Sequence, residues 1–188
     1  MCMPDWEPAV RVPLMMAVPW MSTVARTDDL AELVDLMPTL AELAEISVPA
    51  TKWGDKKNPI EGKSLVRSLA GEIVKEAAYS QYPRAPKSMD EPWAHNSIDH
   101  KEPDEFMYMG YSVRVSDWRY TAWFEWNAAD KVAAFDRPVY ATELYDYRGV
   151  ESEMIDYDLV ENSNVAASEK TSEVVGKLHA MVLKQFQK

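Results

Sequence analysis

The sequence predicts an α+β fold: a C-terminal antiparallel sheet of three or four strands packed with a C-terminal helix, preceded by a strand–helix segment. Three observations predict it. Two aromatic-rich runs, Phe106–Val115 and Trp118–Asn127, flank the pair Ser116-Asp117 and read as a hairpin. Residues 168–187 carry Val174, Val175, Leu178, Met181, Val182 and Leu183 on one helical face, with Lys177 and Lys184 late, where the helix dipole favours cations. Near the start, the apolar run Val12–Val18 precedes Leu30, Leu33, Val34, Met37, Leu40, Leu43 and Ile46, spaced by threes and fours.

Each element has its own local justification. Val12–Val18 lies between prolines and reads as a buried strand, which requires a parallel sheet that the chain does not otherwise supply. Asp28 or Asp29 is placed to cap the helix that follows. Pro38 either kinks that helix or marks a regular part beginning near Asp35, and Val48-Pro49 ends it. Lys52–Gly62 is a loop by its Gly, Pro and Asn content. Ser64–Glu76 reads as a helix with Ser64 as cap and Gly71 as a weak point, and Ala77–Tyr82 as a strand. Pro83–Glu105 is a long Pro- and Asp-rich loop. Alternation along Trp118–Asn127 puts Tyr120, Ala122 and Phe124 on one face and Arg119, Thr121 and Trp123 on the other. Val139–Tyr147 reads as a third strand.

Composition narrows the function. The chain has 188 residues, 47% hydrophobic and 27% charged, which is globular rather than disordered. Its net charge of −11 disfavours a nucleic-acid binder and repels anionic polysaccharides at long range, so a polyanion site needs a local basic patch. The acidic stretches Asp90–Glu105 and Glu143–Glu161 read as solvated loops. Cys2 is the single cysteine, so an internal disulfide is excluded. No stretch is apolar for long enough to span a membrane, and Met1–Trp20, with four prolines and the acids Asp5 and Glu7, does not read as a signal peptide.

Four constellations could carry chemistry. Cys2-Met3-Pro4 invites a nucleophile reading, but nothing beside it supplies a base. His95, Asp99 and His100 do not have the spacing of a strong metal motif. In Tyr79-Ser80-Gln81-Tyr82-Pro83-Arg84, Pro83 holds the backbone extended, so Gln81 and Arg84 are held stiffly at a strand end. Arg84 there can fork onto a sulfate or carboxylate, and Gln81 can bond a sugar hydroxyl. A structural Arg84 paired with one of the many acids stands beside that reading. Arg114 and Arg119 on the hairpin read as cross-strand partners of acids. Phosphate loops, Gly-x-Ser-x-Gly, His-Glu-x-x-His and Cys-x-x-Cys motifs are absent.

Longer motifs resemble the sulfatase family. Arg11-Val12-Pro13-Leu14, then Asp35-Leu36-Met37-Pro38-Thr39-Leu40, is similar to the late part of the sulfatase α/β domain. Ser80-Gln81-Tyr82-Pro83-Arg84, Met109-Gly110-Tyr111-Ser112 and Asp117-Trp118-Arg119-Tyr120-Thr121-Ala122-Trp123 resemble the C-terminal subdomain of the iduronate-2-sulfatase type. Glu143-Leu144-Tyr145-Asp146 and Glu161-Asn162-Ser163-Asn164-Val165-Ala166 match the common sulfatase ending. The resemblance implies that residues 1–76 are the terminal portion of the α/β catalytic domain, a β–α remnant of it, and residues 77–188 the C-terminal subdomain. It implies a sulfuric ester hydrolase acting on sulfated uronate-type sugars such as iduronate 2-sulfate, with Gln81 and Arg84 lining or bracing the pocket. It also implies that calcium and a formylglycine nucleophile belong to a missing N-terminal sulfatase domain, so this segment binds no cofactor and is inactive alone. A full-length protein of this kind would be lysosomal, secreted or periplasmic. The alternative is a stand-alone, non-catalytic acidic binding module.

Overall fold

The computed structural model describes residues 5–21, 26–47, 60–85, 101–150 and 160–187. The chain divides into two units, one of Met15–Ala78 and one of Met1–Leu14 with Tyr79–Lys188. The first fourteen residues therefore group with the C-terminal part.

The smaller unit is organised around one buried aspartate. The first helical turn, α1 (Glu7–Val10), belongs to the other unit; here the regular element is α2 (Leu36–Leu43), entered through a 3-10 turn at Leu33–Asp35. Glu32, not Asp28 or Asp29, caps that turn, in a capping box with Asp35. Pro38 sits in the first turn of α2, where its missing N–H costs nothing. The helix stops at Leu43 in a Schellman motif: Ile46 N–H donates to Ala41 C=O at 2.9 Å, Glu45 N–H donates to Glu42 C=O at 3.0 Å, and Glu45 has φ 56°. Asp35 is fully buried and accepts from Glu32 N (2.8 Å), Lys63 N (2.8 Å) and Lys75 Nζ (2.7 Å). Thr39 donates to Asp35 C=O at 2.6 Å and accepts from Leu65 N at 2.9 Å. The Asp-x-x-Pro-Thr motif is thus a polar hub that pins residues 63–75 to α2. Gly62 passes so close that a Cβ there would collide with the Val34 carbonyl.

Two expectations fail in this region. The helix expected over Ser64–Glu76 shortens to α3 (Val66–Leu69), because Gly71, at φ 84°, closes a second Schellman motif with Glu72 N–H on Arg67 C=O (3.1 Å). The strand expected over Val12–Val18 forms no ladder, and Val12, Leu14 and Met15 are exposed. Among the described residues no neighbouring strand offers its backbone a partner there. The loop expected over Lys52–Gly62 lies mostly outside the described residues.

The larger unit is the predicted sheet. Its strands are β1 (Ala78–Arg84), β2 (Tyr108–Arg114), β3 (Trp118–Asn127), the short β4 (Val132–Ala133) and β5 (Ala141–Asp146). β3 is central. It pairs antiparallel with β2 (Tyr111↔Ala122, Arg114↔Arg119), with β5 (Tyr120↔Leu144, Arg119↔Tyr145) and, at its far end, with β4. β1 lies along the edge of β2, an edge position that admits Pro83. Helix α4 (Ser172–Phe186) follows a 3-10 turn whose start Ser168 caps by accepting from Lys170 N.

Both faces of β3 are buried, and they differ in chemistry. One is apolar and carries Tyr120, Phe124, Val113 and Leu144; α4 packs on β2 and β3, burying Leu178 and Val182, and the ring centres of Tyr111 and Phe186 lie 4.4 Å apart. Each such side chain contributes about 1.5–3 kcal/mol by leaving water. The other face is polar and carries Ser112, Arg114, Arg119, Thr121, Trp123, Glu143 and Tyr145. The side chain of Asn164 continues the β5 edge, accepting from Leu144 N at 2.9 Å and donating to Thr142 C=O at 3.0 Å.

Candidate functional site

The polar face is organised by carboxylates that come from far along the chain. At one end, Glu7 of α1 is buried and forms an ion pair with Arg119 Nη2; Arg114 Nε lies 3.4 Å from the same oxygen. Glu161 closes the other side: its Oε1 lies 2.9 Å from Arg119 Nε and accepts from Tyr147 Oη at 2.6 Å, and its Oε2 accepts from Glu7 N at 2.9 Å. The Arg114 guanidinium stacks on Tyr147, 3.8 Å from the ring centre. Burial pulls the Arg119 pKa down, but Glu7 and Glu161 more than offset it, so the group is held charged above its ordinary range. Arg114 and Arg119 do pair with acids, as the sequence suggests, but the acids come from residues 7 and 161 and not from the facing strand. Glu161, read as part of a solvated acidic run, is almost fully buried.

At the other end, four of the sulfatase-like motifs converge on one indole. Trp123 stands opposite Gly110 on the ladder, and its ring covers that glycine so closely that a Cβ would lie 2.7 Å from it. Trp123 Nε1 donates to Glu143 Oε1 at 2.7 Å, and Tyr145 Oη donates to Glu143 Oε2 at 2.8 Å. Arg84 lies over the indole, its guanidinium carbon 4.8 Å from the ring centre. Beside them, Asp5 accepts from Ser80 Oγ at 2.8 Å through one oxygen, while its other oxygen is buried with no hydrogen-bond partner among the described residues. Burial pushes the Asp5 carboxyl up to about 6, against the opposing pull of the Ser80 bond and Arg119. Burial lowers the Arg84 pKa, and Glu143, Tyr82 and Asp5 act to keep it charged. Burial, then Glu143, raises the Tyr145 hydroxyl, so it stays a neutral donor.

The two residues singled out on β1 do not share a face. Arg84 belongs with Ser80 on the polar side, over Trp123; Gln81 is exposed and alternates with Ser80 onto the side where Tyr79 meets Phe186. The residues that sequence reasoning passed over are Asp5, Glu7, Trp123, Glu143 and Glu161. Trp123 was placed by strand alternation on the same face as Arg119, which is the one signal that could have found it. Cys2, His95, Asp99 and His100 lie outside the described residues. His179 is half-buried on α4, its Nδ1 3.0 Å from Tyr120 Oη.

Chemically, this end of the sheet offers a fixed cation on an aromatic platform, flanked by two carboxyls and hydroxyl donors. That set can hold an anion or a sugar hydroxyl. It does not fit calcium: among the described residues no three His, Cys, Asp or Glu side chains gather as a metal site. Nor does it include a cysteine that could become formylglycine. Among the described residues no helix is long and apolar enough to cross a membrane.

No protein-family model matches the chain. Two curated relatives do. Iduronate 2-sulfatase of Mus musculus is 31% identical over 94% of this chain, and iduronate 2-sulfatase of Homo sapiens is 35% identical over 62% of it. The alignments span 36% and 23% of those proteins, so the chain covers about a third or less of their length. Among solved structures, a candidate sulfatase from Bacteroides thetaiotaomicron is similar over 81% of this chain and 24% of its own, at 23% identity and a TM-score of 0.47, a likeness too loose to argue from. By its sequence the chain is a relative of the sulfatases, similar to the C-terminal part of iduronate 2-sulfatase.

Proposed function

We propose that the chain is the C-terminal segment of a sulfatase acting on sulfated uronate-type sugars such as iduronate 2-sulfate, that it contributes Arg84 to the substrate pocket, and that it is inactive alone. The observation that carries this reading is the convergence of Arg84, Gly110, Trp123 and Glu143 on one cluster, each from a different sulfatase-like motif. A guanidinium seated on an indole loses little freedom when it forks onto a sulfate or a uronate carboxylate. Gln81, exposed on the opposite face of β1, would meet a sugar only from that side. The nucleophile and calcium would come from a partner sulfatase domain outside this chain.

Leu33, Met37, Leu40 and Ile46 lie exposed in the smaller unit, as expected of a segment that packs against the remainder of a catalytic domain.

The test is an assay with a fluorogenic iduronide 2-sulfate. The purified chain releases no product with or without calcium. Combined with a sulfatase N-terminal domain bearing Cys-x-Pro-Ser-Arg, it restores turnover, and Arg84→Gln raises KM in that assembly. Calcium-dependent release by the isolated chain would sink the claim of inactivity. An unchanged KM in the Arg84→Gln assembly would remove the pocket role.

A further inference from the structure

We infer that Glu143 is the positioning residue for Arg84, acting through the Trp123 indole; the inference rests on the reading of Arg84 as a substrate residue. The chain of contacts is continuous. The two Glu143 oxygens are each held by one neutral donor, Trp123 Nε1 at 2.7 Å and Tyr145 Oη at 2.8 Å. The indole N–H bond fixes the ring about its side-chain torsions. Gly110 leaves the space in which the ring lies flat on β2. The upper face of that ring carries the Arg84 guanidinium. Glu143 is also the first among the groups holding Arg84 charged. Every member sits on a strand, so the cation is placed by the sheet and not by a loop.

This arrangement has a consequence for specificity. Each Glu143 oxygen already accepts one hydrogen bond, from the tryptophan or the tyrosine, which suits it to bracing the cluster. An anion reaching Arg84 approaches from the side opposite the indole.

The experiment is NMR of the whole chain. In the wild type, the Arg84 δ-protons carry the upfield ring-current shift of a group above an indole. Glu143→Ala abolishes that shift while the methyl signals of Leu178 and Val182 under α4 stay in place. Glu143→Gln, whose amide oxygen can still accept from Trp123 Nε1, restores part of it. After Trp123→Phe, which removes the N–H and keeps a ring, replacing Glu143 no longer alters whatever ring-current shift remains. In the assembly with the N-terminal sulfatase domain, KM for the iduronide 2-sulfate then rises about tenfold in Glu143→Ala, as in Arg84→Gln. Retention of the Arg84 ring-current shift in Glu143→Ala overturns the inference. If KM in that assembly is unchanged by Arg84→Gln while the NMR coupling stands, the substrate reading fails and the positioning of Arg84 by Glu143 survives it.

Discussion

Glu7 and Arg119, 112 residues apart in sequence, form a buried ion pair on the polar face of the sheet. The pair ties the N-terminal helical turn to the central strand. Arg119 keeps Glu161 as a second partner, but losing Glu7 also strips Arg114 of its carboxylate. Glu7→Ala should therefore destabilise the larger unit by about 3–5 kcal/mol, the range for breaking a buried pair from one side. Urea denaturation followed by the fluorescence of the β3 tryptophans measures it. A loss below about 1 kcal/mol would show that Glu161 alone suffices.

Asp5 makes the seating of that N-terminal segment pH-dependent. Its folded pKa, about 6, lies above the ordinary 3.8. A raised carboxyl contributes stability that is fully present below about 4 and is lost as pH rises through about 6. The segment should dock most tightly in mild acid and lose about 3 kcal/mol of that contribution by neutrality. The groups facing Asp5 are Ser80, Arg119, Glu143 and Arg84. Asp5→Asn, neutral at every pH, should flatten the pH dependence of amide exchange in the Glu7–Val10 turn between pH 4 and 7, after correction for intrinsic rates; an unchanged profile would contradict the assignment.

His179 pulls the other way. Burial lowers its pKa below the ordinary 6.5. Its contribution is present above 6.5 and is lost as pH falls toward the lower folded value, because the unfolded chain takes up the proton first. Hydrogen exchange of α4 amides should therefore quicken as pH falls below about 6.5, after correction for intrinsic rates. His179→Gln should remove that acceleration. Local probes are needed, since Asp5 and His179 oppose each other in a global melt.

Gly110→Ala tests the platform beneath Arg84. The added methyl meets the Trp123 ring at 2.7–2.9 Å. We expect a loss of about 1–3 kcal/mol from overpacking. Because the ring must tilt, the Arg84 ring-current shift should shrink as well. A variant of wild-type stability with that shift intact would show that the ring has room to give.

Glu45→Gly should stabilise the smaller unit. Glu45 holds φ 56° at the end of α2, a conformation that costs a non-glycine residue about 1–2 kcal/mol. Glycine pays back part of this as chain entropy. The expected net gain is about 0.5–1 kcal/mol, read as a shift in denaturation midpoint at constant slope.

Local pattern carried much of the fold. The hairpin, the β5 strand, the face assignment of β3 and the C-terminal helix follow from alternation at period two and spacing at three and four, because these elements bury their patterned sides within their own unit. Boundaries set by a single backbone bond were harder to read. Gly71 looked like a weak point inside a helix and is the residue that ends it. The Val12–Val18 run looked like a strand, yet strandedness requires a neighbour, and a sequence pattern cannot supply one.

The candidate site shows the same division. The sequence by itself determined that Arg84 stands at a strand end, that Trp123 shares a face with Arg119, and that the chain is too acidic to bind a polyanion by its overall field. Only the tertiary structure decided which acids neutralise which arginines. Glu161 looked like a member of a solvated acidic stretch and Glu7 like an ordinary acid of the N-terminal segment, and both are buried against Arg119. The physical reason is range: periodicity reports which way a side chain points relative to its neighbours in sequence, whereas a buried charge is satisfied by whatever opposite charge the fold brings to it, here from 112 residues away.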